Sequence, residues 1–252
     1  MKIRNQLNNV LIELKGKFPF PKYIDSSKKY EMNAILSNLI KIIPDFEGKR
    51  LLDIGSGPMD KTAVFQLFGF DCSAVDDLND PWHKESNNTT EIKQFAKRLG
   101  IDFYHQREGD YKIPFKTKSF DVVCALAVIE HLHESPRNFL NKMGEFLKPD
   151  GILIITMPNS VNLRKRLSVL FGKTNHVPIG QFFNSTGVWR GHVREYTLSE
   201  TVYICEEVGY DVILSKNFEQ LAQKKLYIAL RLIYKIVTSI IPNSRSHLLV
   251  MC

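Results

Sequence analysis

Two glycines one residue apart, placed directly behind a short buried strand, constrain this chain more than any other feature. The run Arg50-Leu51-Leu52-Asp53-Ile54 reads as a strand covered on both faces. Gly55-Ser56-Gly57-Pro58 then turns the chain into a helix expected from about Met59 to Phe68. Gly55 and Gly57 can take positive φ and, lacking Cβ, let a ligand lie against the backbone. The helix that follows directs free N–H groups at the same place. Strand, glycine turn and helix in this order form a nucleotide-binding unit.

The flanking acids narrow the nucleotide. In a G-x-G-x-x-G fingerprint the third glycine would stand where Asp60 stands, a poor neighbour for a pyrophosphate, which opposes a nicotinamide dehydrogenase. Asp53, two residues before the first glycine, is placed to meet a positively charged ligand group. Asp71 to Asp76 reads as a second strand ending in an acid that can accept both hydroxyls of a ribose. Acids on both sides of the turn suit a cationic nucleoside.

Here the chain resembles the class I S-adenosylmethionine-dependent methyltransferases. Besides the glycine loop, the resemblance rests on Glu108 to Phe115 with Ser119-Phe120-Asp121-Val122-Val123, on Val128-Ile129-Glu130-His131-Leu132, and on Leu147-Lys148-Pro149-Asp150-Gly151 with the apolar run to Thr156. The ordered set spans residues 48–215. The resemblance implies a Rossmann-like, doubly wound α/β sheet of seven strands, mostly parallel with an antiparallel last strand and helices on both faces. It also implies an enzyme that uses S-adenosyl-L-methionine. Ser56, Asp77, Asp110, Tyr111 and Leu126 then join Asp53, Gly55, Gly57 and Asp76 as expected cofactor contacts, with Asp110 near the adenine. A non-catalytic relative of the fold would keep these features without turnover.

A chain of 252 residues fits one large methyltransferase domain. The expected divisions are an N-terminal helical cover (1–47), a cofactor-binding core (48–157), a substrate lid (158–197) and a helical insertion (216–243) before the last strand. Residues 1–25 are mixed, and Phe18-Pro19-Phe20-Pro21 breaks any helix. Met32, Ile35, Leu36, Leu39, Ile40 and Ile43 recur at helical spacing, so 26–43 is a helix that either packs on the sheet or covers the cofactor. Asp77 to His83 is a polar turn carrying Trp82 and His83, either an exposed loop or a stacking element. Strands are further expected over 101–106, 210–215 and 246–251, the last antiparallel. Cys72, Cys124, Cys205 and Cys252 are scattered with no C-x-x-C, so neither a disulfide framework nor a metal site is expected. Met1 to Gln6 lacks the apolar region of a signal peptide, and a cytoplasmic protein is expected. The net charge of +7 permits an anionic substrate, nucleic acid or an anionic membrane. With no nucleic-acid module in view, nucleic acid is not an expected partner, although nucleic-acid or protein methylation stays the alternative to a small-molecule or glycan acceptor.

The acceptor side is expected in the lid. Residues 160–196 read as a long irregular stretch holding Arg164, Lys165, Arg166, Lys173, Arg190 and Arg194 among aromatic residues. Glu130, Trp189, Arg190, Arg194 and Tyr196 are the candidates for contacting the acceptor, which the arginines suit to an anionic sugar. Similar methyltransferases of surface-polysaccharide pathways supply the analogy. If the acceptor is a hydroxyl, His131 or His192 is the candidate base, with a structural histidine as the competing reading of each; Glu130 could equally cap the local helix. Thr197-x-x-Glu200 is a capping box opening a helix to Val208. Residues 226–241 form an apolar helix with one polar stripe, Arg231, Lys235 and Thr238. That helix is too short and too charged to span a bilayer. It is buried in the domain, forms a homodimer face, or lies peripherally on the inner membrane face.

Overall fold

The computed structural model describes residues 2–106, 112–220 and 228–252. Its strands are β1 (Arg50–Ile54), β2 (Asp71–Asp76), β3 (Asp102–His105), β4 (Phe120–Leu126), β5 (Leu147–Pro158), β6 (Leu214–Phe218) and β7 (His247–Met251). They hydrogen-bond in the order β3-β2-β1-β4-β5-β7-β6, a seven-stranded Rossmann-like α/β sheet. The helices are α1 (Lys2–Lys17), α2 (Ser26–Ile42), α3 (Asp60–Leu67), α4 (Pro81–Lys84), α5 (Asn88–Leu99), α6 (Pro136–Phe146), α7 (Leu163–Leu170), α8 (Ile179–Phe183), α9 (Leu198–Glu207) and α10 (Ile228–Ile240). Two compact units divide the chain. The first runs to Leu126 and adds Asn141–Ile154; the second takes Ala127–Leu140 and Ile155–Cys252.

In the first unit β1 lies between β2 and β4, parallel to both, with Leu52 opposite Ser73 on one side and Val123 on the other. A strand hemmed in on both edges and both faces must be apolar, which is why Leu51, Leu52 and Ile54 are all buried. Cys72 and Cys124 fill the same core as small side chains. The 26–43 periodicity is α2, opened by Asp25, whose side chain accepts the Ser27 N–H at 2.9 Å. Residues 2–17 differ from expectation. They form α1, which buries Leu7, Val10 and Leu14 at i, i+3 and i+7 and stops before Phe18-Pro19. Of the two readings of the Trp82 turn the structure takes the stacking element over the exposed loop: Phe20 and Tyr23 pack on Trp82 at ring distances of 5.4 and 5.3 Å, and His83 is buried. At the head of β5 the chain doubles back, since a Cβ on Gly151 would lie 3.0 Å from the Lys148 carbonyl.

In the second unit β6 and β7 pair antiparallel, Ser215 opposite Val250, so the sixth strand begins four residues later than its apolar pattern suggested. The capping box is present: Thr197 Oγ1 accepts the Glu200 N–H at 3.2 Å, and Glu200 accepts the Thr197 N–H at 2.8 Å. The 160–196 stretch is not irregular throughout, because α7 and α8 lie within it. Asn162 starts α7 by accepting the Lys165 N–H at 3.2 Å. The stretch returns at Tyr196, which bridges to Asn159 in parallel.

Candidate active site

The glycine turn adopts the backbone its residues require. Gly55 has φ 76° and Gly57 φ 54°, and Asp76 at the end of β2 accepts the Gly57 N–H at 2.7 Å through Oδ2 and the Leu78 N–H at 2.7 Å through Oδ1. Burial pushes the Asp76 pKa up to about 6 against these two donors. Each oxygen retains a lone pair for a hydroxyl donor. Among the described residues, a Cβ on Gly57 would meet no protein atom within 4 Å. Ser56 Oγ is buried and, among the described residues, has no hydrogen-bond partner. Asp77 holds the next turn, accepting from Asn79 N and Nδ2, both at 2.9 Å.

Behind the loop lies a charged clamp. Lys61 Nζ donates to Glu31 of α2 at 3.1 Å and to the Leu126 carbonyl at 3.0 Å; Asp60 is ion-paired with Lys28. Burial opposes the Lys61 charge, but Glu31 and Asp60 outweigh it and hold the ammonium above its usual range. The helix before the core is thus tied to the first turn of α3 and to the end of β4. Asp53 lies almost fully buried beneath the loop. Its Oδ2 accepts from Thr62 at 2.6 Å and its Oδ1 from the Cys124 thiol at 3.5 Å, so it braces the underside of the loop. Burial pushes its pKa up to about 6.

The second unit gathers another constellation. Glu130 is fully buried, and one ligand atom each from Glu130, His131 and His192 lies within 4.8 Å of the others. The stretch 189–195 builds this group largely with its backbone. His131 Nδ1 donates to the Arg190 carbonyl at 2.8 Å, and His133 Nε2 to the Trp189 carbonyl at 2.7 Å. The N–H groups of Val193 and Arg194 reach the Glu130 carbonyl at 2.7 and 3.2 Å. His192 Nδ1 donates to Glu195 at 2.7 Å, and Lys165 salt-bridges the same carboxylate. Both imidazoles therefore carry their proton on Nδ1 and present Nε2 as an acceptor. Burial, then the charges of His131 and Lys165, push the His192 pKa down to about 4. Glu195 pulls the other way, but Lys165 offsets its charge.

A family model described as a methyltransferase domain matches residues 26–215. The chain belongs to that methyltransferase family. The methyltransferase resembles the S-adenosylmethionine-dependent methyltransferase structure from Mesorhizobium loti with a TM-score of 0.57 at 15% identity, covering 85% of this chain and 95% of that one. It also resembles the Burkholderia thailandensis 1,6-didemethyltoxoflavin-N1-methyltransferase, with a TM-score of 0.55 at 16% identity over 99% and 88% of the two chains. At these identities the likeness is one of fold. Among curated relatives, the Caulobacter vibrioides ubiquinone biosynthesis O-methyltransferase is 32% identical over 115 residues, 45% of this chain and 42% of that protein. The mitochondrial Schizosaccharomyces pombe protein of the same description is 28% identical over 143 residues, 54% and 48% of the two chains. The matched region spans about half the length of these relatives or less.

S-adenosylmethionine is the methyltransferase's cofactor, and among the described residues the loop fits it through the space beside Gly57, the unpartnered Ser56 hydroxyl and the Asp76 carboxylate. Asp110 and Tyr111 lie outside the described residues. On the acceptor side, Trp189, Arg190, Arg194 and Tyr196 turn out to be strongly engaged within the unit. Trp189 Nε1 donates to the His192 carbonyl at 3.2 Å, and its ring lies where a Cβ on Gly191 would be. Arg194 pairs with Glu200 at 3.0 Å and lies over the buried Tyr196 ring. Tyr23 and Glu195 escaped the sequence reading, and Lys165 entered it only as one cation of the lid. Tyr23 feels the charges of Asp60, Lys61 and Asp76, which puts its ring beside the cofactor loop. Glu195 accepts the His192 Nδ1 proton, and Lys165 pairs with Glu195. No spacing rule links Tyr23 or Lys165 to these groups, although Glu195 lies only three residues from His192.

Proposed function

We propose that the enzyme methylates a hydroxyl oxygen of a small, largely apolar acceptor, with His131 as general base. The observation that carries this reading is the His131 tautomer: Nδ1–H bound to the Arg190 carbonyl leaves Nε2 free to take a proton. When bound, S-adenosylmethionine supplies an electrophilic methyl group. His131 Nε2 receives the hydroxyl proton, and the Arg190 carbonyl steadies the imidazolium that results. His192, with its pKa near 4, stays uncharged at neutral pH and adds no competing positive charge. The curated relatives named as ubiquinone biosynthesis O-methyltransferases agree in reaction type and favour an apolar acceptor over an anionic one. So does the pairing of Arg194 with Glu200, which occupies a cation that an anionic sugar would need. A soluble glycan offers the same nucleophile and is the other arm of the test.

The experiment supplies methyl-labelled cofactor with separate lipid and soluble-glycan extracts. Label in the lipid fraction, stable to mild alkali as an ether is, supports the reading. Label only in the glycan fraction overturns the apolar acceptor, and alkali-labile label overturns the hydroxyl. His131→Ala should lower kcat by about 100-fold, the scale of general-base catalysis, without changing the thermal shift given by S-adenosylhomocysteine. A second reading rests on the grouping of Glu130, His131 and His192, a His₂Glu set with both imidazoles oriented by outer hydrogen bonds, as metal-ligating histidines are. Activity lost to a chelator and restored by a divalent metal would favour it over the simple base.

A further inference from the structure

The helix α10 is inside out. Its inward side carries Arg231, Tyr234 and Thr238, with Tyr234 at 7% and Thr238 at 6% exposure and the Tyr234 hydroxyl donating to Glu219 at 2.9 Å. Its outward side carries Leu230, Leu232, Ile233, Ile236 and Ile240, the last 74% exposed. A helix facing water places these sets the other way round. The reading of 226–241 as a helix buried by its apolar faces fails on this point for the described residues.

Two shorter helices of the same unit repeat the pattern. On α7 and just past it, Leu167, Leu170 and Phe171 stand outward at i, i+3 and i+4. On α8, Ile179, Phe182 and Phe183 do the same, Phe183 at 81% exposure. Burial and Glu219 hold the Tyr234 phenol above its usual range, and Arg164 of α7 is near enough to oppose them, which places the start of α7 beside α10.

Charge separates the possible occupants. The two stretches that carry these helices, 151–194 and 220–252, hold eleven of the chain's 34 Lys and Arg and none of its 27 Asp and Glu. The rest of the chain is left with 23 cations against 27 anions, so the whole positive balance of the sequence falls in these two stretches. A second copy would meet this surface with the same surface, as a two-fold interface requires, and so bring exposed cations such as Lys173 and Lys235 against the same cations. An anionic lipid surface complements both properties at once. Among the described residues no helix is long and apolar enough to cross a membrane.

We propose that α7, α8 and α10 form a docking surface by which this methyltransferase lies on the headgroup region of an anionic bilayer, its outward aliphatic and aromatic side chains inserted and its lysines and arginines among the phosphates. The proposal goes beyond the acceptor assignment and stands without it.

The test uses the full chain and vesicles of phosphatidylcholine with or without phosphatidylglycerol. Co-sedimentation is expected with the anionic vesicles, weakened at least about tenfold by roughly 0.5 M salt, where screening is short-ranged. Ile233→Asp with Ile236→Asp, and separately Lys173→Glu with Lys235→Glu, should each lower vesicle binding about tenfold or more. Both pairs are solvent-facing, and an unchanged thermal shift with S-adenosylhomocysteine certifies the fold. Absence of binding to anionic vesicles overturns the proposal, as does equal binding to neutral ones. A concentration-dependent dimer abolished by Ile233→Asp also overturns it, in favour of a second copy.

Discussion

Lowering the pH from 7 to 5 should weaken the binding of S-adenosylhomocysteine about tenfold, through Asp76. The sequence assigns this carboxylate to the ribose hydroxyls, and burial raises its pKa to about 6. Only the ionised form leaves acceptor capacity for both ribose hydroxyls after serving Gly57 and Leu78. With a pKa near 6, the ionised fraction falls from about nine-tenths at pH 7 to about one-tenth at pH 5, which corresponds to about 1.4 kcal/mol of binding free energy. The ligand's own carboxyl and amino groups hold their charges over this interval. Asp53 titrates in the same range, but both its oxygens face Thr62 and Cys124, so its protonation acts on stability. Titration calorimetry on wild type and Asp76→Asn, at several pH values, isolates the effect. The variant should bind more weakly at pH 7 and show a flat profile. A wild-type affinity independent of pH, or the same slope in Asp76→Asn, refutes the assignment of Asp76 as ribose acceptor.

Two stability measurements test the scaffold. Lys61→Met strands the buried Glu31 carboxylate and should cost about 3–5 kcal/mol in denaturant unfolding, much of it restored by adding Glu31→Leu; a loss under about 1 kcal/mol would show that the clamp is not holding α2 to α3. Leu14→Ala removes a fully buried side chain of α1 and should cost about 2–5 kcal/mol, whereas a neutral result would mean that α1 is not part of the folded core.

What could be read from the sequence was what depends on neighbours in sequence. The bounds of β1, the glycine turn, the acid ending β2 and the Thr197–Glu200 capping box each follow from a few adjacent residues, and the structure reproduces them. Helix α1 was hidden because Asn5, Gln6, Asn8, Asn9 and Gly16 dilute a Leu7, Val10, Leu14 stripe too narrow to stand out. The distance of Asp53 from the turn is visible in the sequence, whereas its contacts with Thr62 and Cys124 come from other elements and were not. His131 and His192 were visible singly as candidates. Their meeting, with the ring centres 4.9 Å apart, depends on a return of the chain at Tyr196 that no local pattern encodes.

The acid-free stretch between Gly151 and Arg194 acts through its main chain as well as through its charges. Its contribution to the histidine pair comes from atoms that every residue type shares: the carbonyls of Trp189 and Arg190 and the N–H groups of Val193 and Arg194. A backbone that must present four polar groups to one place needs a fixed path, and Gly191 under the Trp189 ring with Arg194 against Glu200 supplies it. Lys165 of α7 turns to Glu195 beside the histidine pair, whereas Arg164, Arg166 and the apolar side chains of α7 and α8 face outward. One stretch thus serves two ends by different atoms. Its main chain orients the base, and its side chains make a basic, apolar surface, so mutations of the first kind should change kcat and those of the second should change only where the enzyme resides.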